Sequence, residues 1–449
     1  MKKFFLLPTL LSTVLILACA GRHDDPTTED AQLRASLEKA GVRALQTPVQ
    51  DPQKVALGKA LMFDKILSGN KDISCATCHH PLAHTGDALS VSIGVGGTGL
   101  GMNRVIGPNR NFIPRNAPEV FNRGVANFDT FFWDGRVSGT VQNGFTTPAG
   151  TKLLPGLDNA LAAQAMFPVT SRDEMRGAAG DIQAGGAPNE LAMLADNDFS
   201  GIWNGLMARL MAIPEYARLF GAAFPTVPHG QLGFQHAANA IGAFEASLWA
   251  LADSPFDHYV AGDSTSLSAA QKRGAALFYG KARCSECHSG PSMTDLKFHN
   301  IAAPQIGPGK GAESPLDYGR GRETGQTADR FKFRTPPLRN VALTGPWTHA
   351  GAYTTLEGVI RHHLDPRQSL QAYNASQLAP RFAAQVHNQN IIQAGVFDTL
   401  DGIVTTPLAL SNAEVADLVS FLQALTDPKA MDQSIEVPFS VPSGLPVSD

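Results

Sequence analysis

Apolar residues recur at helical spacing in several separate segments of the chain. The longest of these segments are Val55 to Phe63, Leu232 to Leu251, Ser266 to Tyr279 and Ser411 to Leu425. Each has the spacing of a helix with one buried face, and Ser411 is a suitable N-cap for the last of them. A stretch rich in glycine and proline, residues 94–118, predicts a long loop. The pattern therefore predicts a mainly α-helical protein with long connecting loops.

The first 19 residues have the pattern of an export signal. Lys2 and Lys3 give a positive start, and residues 4–17 are almost entirely apolar. The segment ends at Ile16-Leu17-Ala18-Cys19, which resembles the lipobox at which bacterial lipoproteins are cut and lipidated. A plain secretory signal with an incidental cysteine is the alternative, and both readings export the protein. We expect a periplasmic protein, lipid-anchored at Cys19 to the outer membrane because no Asp follows the cysteine. No other stretch is apolar enough to span a membrane.

The composition narrows the class of protein further. The chain has 449 residues, of which 43% are hydrophobic and 17% charged, as in ordinary globular proteins. The formal net charge of −4 gives no reason to expect nucleic acid as a partner. The 43 glycines and 30 prolines fit a protein with much loop, in which cofactors replace part of a hydrophobic core.

Four of the five cysteines lie in two copies of one motif. These are Cys75-Ala76-Thr77-Cys78-His79 and Cys284-Ser285-Glu286-Cys287-His288. Cys-x-x-Cys-His is the attachment signal for c-type haem: the two thiols form thioethers with the haem vinyl groups, and the histidine becomes an axial iron ligand. The sequence therefore predicts two covalently bound haems, one held by Cys75, Cys78 and His79 and the other by Cys284, Cys287 and His288.

Three other uses of paired cysteines explain the motifs less well. Disulfides suit an exported protein, but they do not require a histidine after each second cysteine. A zinc site built from two Cys-x-x-Cys pairs usually has a shorter separation between them. A thioredoxin-like motif needs a strand-to-helix context, which the sequence around both motifs lacks.

The unit of a helix followed by Cys-x-x-Cys-His occurs twice, 209 residues apart (284 minus 75). This repetition predicts two cytochrome-c-like, mainly helical domains that pack against each other. The expected organisation is a signal (1–19), a tether (20–50) with a short helix near Ala31 to Ala40, an N-terminal haem domain (51–252), a linker (253–265), a C-terminal haem domain (266–428) and a tail (429–449).

Further motifs, in the expected order, resemble those of the bacterial di-haem cytochrome c peroxidase and MauG family, and the resemblance extends from about residue 51 to residue 427. Besides the two haem motifs they are Arg115-Asn116-Ala117-Pro118, Phe132-Trp133-Asp134-Gly135-Arg136, Thr335-Pro336-Pro337-Leu338-Arg339-Asn340 and Thr344-Gly345-Pro346-Trp347-Thr348-His349-Ala350-Gly351. In this family the N-terminal haem meets peroxide, and the C-terminal haem stores and passes electrons.

The resemblance implies an open first haem. Other peroxidases of the family have a histidine in a Ser-Ile-Gly-His loop that caps the iron, and here the loop ends in Val95, which cannot bind iron. The family's proton-transferring Glu-Met pair, with a Gln ten residues earlier, corresponds to Glu174, Met175 and Gln164. About twenty extra residues follow Trp133, so Gln142 remains a competing glutamine. An open iron without a histidine cap favours the MauG-like branch of the family.

The resemblance also implies roles for residues between and beyond the haems. Trp133 corresponds to a tryptophan that relays electrons between the two haems. Asn116, Thr344 and Pro346 correspond to the ligands of an inter-domain calcium, through one side-chain oxygen and two backbone carbonyls. The distal ligand of the second haem falls at His363 by counting from His349. His362 is its neighbour, but only one of the two can face the iron, because adjacent helical residues point about 100° apart.

Together these residues predict an oxidoreductase, a di-haem c-type peroxidase. It would reduce hydrogen peroxide with electrons from a small redox carrier, or from the oxidation of a partner protein or an organic substrate in the manner of MauG. The alternative from another class is an electron-transfer cytochrome without substrate chemistry, and a peroxide-gated sensor is a third. Glu174 and the missing cap at Val95 favour the enzyme, because an electron carrier has no use for an open iron.

Overall fold

The computed structural model of the protein describes residue 1 and residues 28–449. The signal segment and Cys19 therefore lie outside the described residues. The described part is mainly helical, which confirms the predicted fold class at that level. Its helices are α1 (Thr28–Lys39), α2 (Pro52–Phe63), α3 (Cys75–Cys78), α4 (Ala160–Ala165), α5 (Phe199–Met211), α6 (Pro214–Ala223), α7 (Phe234–Leu248), α8 (Pro255–Val260), α9 (Ala269–Phe278), α10 (Arg320–Thr324), α11 (Leu356–Leu364), α12 (Pro366–Gln371), α13 (Pro380–Ala383), α14 (Asn390–Phe397) and α15 (Asn412–Gln423). None of the described helices is long and apolar enough to cross a bilayer.

Strands are few and short. They are β1 (Thr130–Phe131), β2 (Val137–Thr140), β3 (Gly144–Thr146), β4 (Phe298–His299), β5 (Gln305–Ile306), β6 (Phe333–Arg334) and β7 (Val386–His387). Strands β1, β2 and β3 form an antiparallel sheet in that order, and β4 pairs with β6 and β5 with β7, both antiparallel. Phe131 of β1 and Val137 of β2 are buried in the first hydrophobic core.

Two large hydrophobic cores divide the described chain. The first is formed mainly by residues 57–251 and contains α2, α4 and α7. The second contains α9 and α15 and is drawn mainly from residues 256–425. The four long helices predicted from the apolar pattern are present in these cores as α2, α7, α9 and α15. Side-chain caps begin three of them, at Asp51, Ser268 and Ser411.

In both cores, two long helices cross at a glycine. Gly58 of α2 lies so close to α7 that an added Cβ would overlap the carbonyl oxygen of Ala240 and crowd the Cβ of Phe244. In the same way, a Cβ on Gly274 of α9 would overlap the carbonyl oxygen of Asp417 and crowd the Cβ of Phe421, both in α15. In each half, the helix that precedes the Cys-x-x-Cys-His motif thus crosses the closing helix at a glycine, because only glycine allows the backbones to approach so closely.

Gly58→Ala is therefore expected to lower the free energy of unfolding by about 1–3 kcal/mol, the usual cost of overpacking a filled core. Thermal denaturation of the holoprotein followed by circular dichroism measures the change. Gly395→Ala is the matched control, since a Cβ at this helical position meets no atom within 4 Å. Equal melting temperatures for Gly58→Ala and the parent would contradict the close approach.

Three segments expected to be connecting chain are packed against the cores. Helix α1 falls within the predicted tether, yet its Leu33 and Leu37 are buried in the second core. The predicted linker contains α8, whose Phe256 and Tyr259 are fully buried there as well. These apolar side chains are too few to show a clear helical period in the sequence, so their burial depends on the surface that receives them.

The predicted tail also packs, and it returns to the N-terminal core. Lys65 forms an ion pair of 2.7 Å with the side chain of Asp449. Ser443 donates its hydroxyl to the buried carboxylate of Asp64 at 2.6 Å. Val441 is buried in the first core. The last residues of the chain thus join the two halves.

Candidate haem sites

The first Cys-x-x-Cys-His motif forms α3 and the turn after it. The hydroxyl of Thr77 accepts a hydrogen bond from the backbone N–H of Ser74 at 3.1 Å, which fixes the start of this short helix. The Nδ1 of His79 pairs with the carbonyl oxygen of Thr85 at 3.1 Å, so Nε2 is the nitrogen left for a metal. Burial lowers the pKa of His79, which favours the neutral imidazole that iron binds.

The loop with Val95 packs against the segment that carries Glu174. Val95 is 3% exposed, and its backbone N–H donates to the carbonyl oxygens of Asp173 (3.3 Å) and Glu174 (3.1 Å). A Cβ on Gly94 would overlap the carbonyl oxygen of Asp173, so this approach requires glycine. The structure therefore brings the two sequence-predicted features of the first haem pocket together.

Glu174 lies in a single π-helical turn, Arg172–Arg176, and is partly buried. Burial raises the pKa of its carboxyl group, while the charges of Arg136 and Lys310 lower it. Burial is the largest cause of the raised pKa values of the Cys75 and Cys78 thiols. The charge of the Glu174 carboxylate contributes a smaller increase to both. Glu174 is thus close enough to the haem motif for its charge to be felt there.

The two competing glutamines occupy different environments. Gln164 lies near the end of α4, which packs against α7, and is partly buried. Gln142 lies in the turn that joins β2 to β3 and is exposed. Of the two, only Gln164 is on an element of the first core.

At the second motif, the structure places two imidazoles opposite each other, with their planes tilted by 59°. The Nδ1 of His288 pairs with the carbonyl oxygen of Met293 at 3.2 Å, and the Nδ1 of His363 pairs with that of Val359 at 2.8 Å. Both rings therefore keep Nε2 free, and their centroids are 6.4 Å apart. An imidazole nitrogen binds a first-row metal at about 2 Å and the ring centre lies roughly 1 Å beyond it, so two axial imidazoles have centroids about 6 Å apart. The spacing fits one iron between His288 and His363.

His362 does not offer a ligand in this arrangement. His362 is fully buried, with Nδ1 paired to the hydroxyl of Tyr353 at 2.8 Å and Nε2 paired to the carbonyl oxygen of Ile301 at 2.8 Å. Both of its nitrogens are thus in use. Met293 is also fully buried, and its carbonyl oxygen is bound to the proximal His288.

A mostly apolar cavity surrounds the second motif. Cys284, Cys287, His288 and His363 line it, together with Trp133. The indole N–H of Trp133 donates to the carbonyl oxygen of Asn116 at 3.0 Å, and the side chain is 8% exposed. Trp133 belongs to the first half of the chain, so it forms part of the wall between the two halves.

The three predicted calcium ligands line the same cavity. Asn116, Thr344 and Pro346 all face it. The amide nitrogen of Asn116 donates to the carbonyl oxygen of Leu89 at 2.7 Å, and its backbone N–H donates to that of His349 at 2.8 Å. The side-chain oxygen of Asn116 is therefore the atom that a cation could use.

The donor set fits haem better than the other uses of paired cysteines. Cys75, Cys78, Cys284 and Cys287 are all free thiols, so no disulfide joins them. Burial raises the pKa values of the Cys75 and Cys284 thiols to about 12, which disfavours the thiolates that zinc and redox motifs need. The two motifs also belong to different cores. Apolar surroundings and neutral imidazoles are what a covalent haem requires.

A buried charge network beside Trp133 was not found from the sequence. Asp134 is fully buried and binds Arg115 (2.6 Å), Lys310 (2.6 Å) and Arg136 (3.0 Å). Arg115 also binds Asp317 at 2.6 Å. Arg115, Asp134 and Arg136 stand in recognised motifs, but Lys310 and Asp317 come from a distant loop without a pattern of its own. The network fixes the turn after Trp133 to the C-terminal half.

Comparisons with known proteins identify the family of this chain. Residues 52–265 match the family model described as di-haem cytochrome c peroxidase. The methylamine utilization protein MauG of Methylorubrum extorquens is 31% identical over 389 residues, which is 86% of this chain and 81% of that protein. The cytochrome c551 peroxidase of Pseudomonas aeruginosa is 32% identical over 315 residues, 70% of this chain and 72% of that protein.

A solved structure is similar over most of the chain as well. The crystal structure of a MauG-like protein associated with microbial copper homeostasis has a TM-score of 0.58 and 27% identity, and it covers 87% of this chain and 95% of that one. The haem motifs and the match to full-length relatives lead to the same assignment. The chain belongs to the di-haem cytochrome c peroxidase and MauG family.

Proposed function

We propose that this protein is a di-haem c-type peroxidase that reduces hydrogen peroxide at the first haem, with Glu174 as its proton-transferring residue. The main observation in its support is the hydrogen bond of 3.1 Å from the backbone N–H of Val95 to the carbonyl oxygen of Glu174. It places Val95, whose side chain has no metal-binding atom, beside the turn that carries the ionisable Glu174. An iron at His79 would then be accessible to a small ligand, with a proton acceptor next to it.

The reaction consumes two electrons and two protons for each hydrogen peroxide, and it yields two water molecules. When bound, haem supplies the one-electron redox chemistry at its iron. Glu174 supplies the proton movement: its carboxylate takes a proton from one peroxide oxygen and delivers it to the other, which leaves as water. Gln164, on the same core, donates its amide to orient the peroxide. Burial raises the pKa of Glu174, which brings the group closer to the working pH.

The second half of the protein supplies the electrons. His288 and His363 would hold the second iron, and with both ligands bound that iron would not be open to peroxide. Trp133 lines that cavity and comes from the first half, so its ring would provide an aromatic path between the two redox centres. Asn116, Thr344 and Pro346 would hold a calcium ion beside Trp133. Asn116 binds both Trp133 and the loop of His349, so the ion would fix the joint between the halves.

The electrons come either from a small redox carrier or from a protein or organic substrate. The relatives include proteins named cytochrome-c peroxidase and a protein named for methylamine utilization. An open first iron that reacts without prior reduction favours a protein or organic substrate as the electron source. Of these, we favour oxidation of side chains in a partner protein.

Stopped-flow spectroscopy of the as-isolated, fully ferric protein with hydrogen peroxide tests the proposal. We expect a high-spin ferric component at rest and a fast spectral change without prior reduction. A protein in which both haems are low-spin, and which does not react in either the ferric or the half-reduced state, would instead be an electron-transfer cytochrome.

Two covalent haems are expected for each chain. Pyridine haemochrome analysis should give a ratio of two, and acid acetone should extract neither haem. Changing both Cys284 and Cys287 to Ala should remove the second haem and keep the first, because the two motifs lie in separate cores. A ratio of one in the parent protein would contradict the assignment.

Export and lipidation at Cys19 would place the enzyme on the periplasmic face of the outer membrane. Cys19→Ser is expected to shift the protein from the membrane fraction to the soluble fraction, or to leave it unprocessed. Fractionation after a salt wash, with immunoblotting, measures the change. Membrane association equal to that of the parent would argue against the anchor.

A further inference from the structure

Two buried arginines line the wall of the second-haem cavity. They are Arg123 and Arg334, which are 4% and 3% exposed. Both guanidinium groups contact the ring of Phe128, with their carbons 5.0 Å and 5.5 Å from its centre, and, after burial, the charge of Arg123 lowers the pKa of Arg334. Arg123 comes from the first half of the chain and Arg334 from β6 in the second.

These two cations are poorly matched by negative charge. Arg123 donates to the backbone and the carboxylate of Glu119, but its Nη1 is buried without a hydrogen-bond partner among the described residues. The side chain of Arg334 donates to the backbone carbonyl oxygens of Phe132 (3.2 Å) and Thr335 (3.1 Å). A buried charged donor without a partner is costly, so such a site points to a missing acceptor.

The nearby carboxyl groups do not supply enough charge. Burial raises the pKa of Glu119 to about 7 and that of Glu245 to about 8, with Arg123 opposing both shifts. Glu245 also keeps one buried oxygen without a partner. Burial, followed by the charge of Arg123, lowers the pKa of Arg334 to about 9. Glu119 and Asp134 raise the pKa of Arg334 through their charge, but the hydrogen bonds of its guanidinium go to backbone carbonyl oxygens rather than to a carboxylate.

Other cations at this cavity are already paired. His299 lies between Asp401 (2.6 Å) and Asp295 (3.0 Å). Arg283 is exposed and binds Glu286 at 2.6 Å. The unmatched positive charge therefore lies at Arg123 and Arg334, whose planar groups suit a carboxylate.

We infer that Arg123 and Arg334 form a carboxylate-binding site that holds a propionate of the haem attached at Cys284 and Cys287. The inference rests on the proposed haem in this cavity. A haem carries two propionates, and a buried propionate needs such a counter-charge to remain ionised. Because the arginines come from the two halves, the propionate would also join them. Arg123 lies near the first haem as well, since its charge lowers the pKa of His79 after burial.

Resonance Raman spectroscopy and redox titration of the holoprotein test this site. Arg123→Gln and Arg334→Lys are the variants, and Arg330→Gln is the control, because Arg330 is exposed beside Tyr318. Loss of the paired donors should shift the propionate bending band of the second haem. In Arg123→Gln that haem's midpoint potential should also fall, since removing a nearby cation disfavours the reduced, more negative state. The control should change neither value.

The outcomes distinguish the inference from the proposed function. If pyridine haemochrome analysis finds no second haem in the parent protein, both the propionate site and the proposed function are wrong. If two haems are present but both arginine variants leave the propionate band and the potential unchanged, only the propionate inference is wrong. The two arginines would then bind an external anion or no anion. If Arg123→Gln fails to fold, Arg334→Lys decides, since it keeps the charge but loses the planar group and should still shift the band.

Discussion

Glu174→Gln is expected to slow the reaction with hydrogen peroxide by about 100-fold or more, the usual scale of general acid–base catalysis. The amide keeps the size of the side chain but cannot take up a proton. Haem content and the resting spectrum should remain those of the parent, because neither haem is held by Glu174. Stopped-flow measurement of the second-order rate constant gives the comparison.

The pH dependence gives a second check on this residue. Only the ionised form of Glu174 accepts a proton, and burial raises the pKa at which it is formed. The rate of the parent protein should therefore fall as the pH drops through that raised pKa, and Glu174→Gln should lack this acidic limb. Asp173→Asn is the control, since Asp173 is exposed and binds only Asn111, at 3.3 Å, through its side chain. A parent-like rate for Glu174→Gln would make the residue a plain loop carboxylate.

His363→Ala is expected to open the second iron completely. With His363 intact, two imidazoles give a low-spin ferric haem, and its loss should make that haem high-spin or water-bound. Electron paramagnetic resonance and near-infrared magnetic circular dichroism distinguish these states. The variant should keep both haems by pyridine haemochrome, since the thioethers at Cys284 and Cys287 are unchanged.

His362→Ala is the matched control for the neighbouring position. It breaks the bonds to Tyr353 and Ile301 and should lower the free energy of unfolding by about 1–3 kcal/mol, the cost of unsatisfied buried groups. Its ferric spectrum should nevertheless match that of the parent. A His/Met band in the parent protein, or an unchanged spin state in His363→Ala, would refute the ligand assignment.

The sequence alone predicted those features that depend on neighbouring residues or on covalent attachment. Two thiols and a histidine at fixed spacing define each haem motif without reference to the rest of the fold. The helices α2, α7, α9 and α15 were predictable because long amphipathic segments carry their own period and caps. Membership of the family follows from the order of several such motifs, and the comparisons confirm it.

The alignment of Glu174 shows where the sequence alone becomes ambiguous. About twenty extra residues after Trp133 allow two different glutamines to be paired with it. The fold separates them, because Gln164 lies on a core helix and Gln142 on an exposed turn. An insertion leaves the local pattern unchanged on both sides, so the sequence does not distinguish the two glutamines, whereas the fold gives them different environments.

Other features were decided by tertiary structure alone. The bonds of His362 to Tyr353 and Ile301 distinguish it from His363, and neither partner is visible in the helical pattern. Lys310 binds Asp134 across the two halves, and Arg123 and Arg334, from different halves, line the same cavity. Helix α1 and the last residues pack on surfaces formed by distant parts of the chain. Burial, charge pairing and free ligand atoms depend on which residues meet in space, and a single sequence records none of those distances.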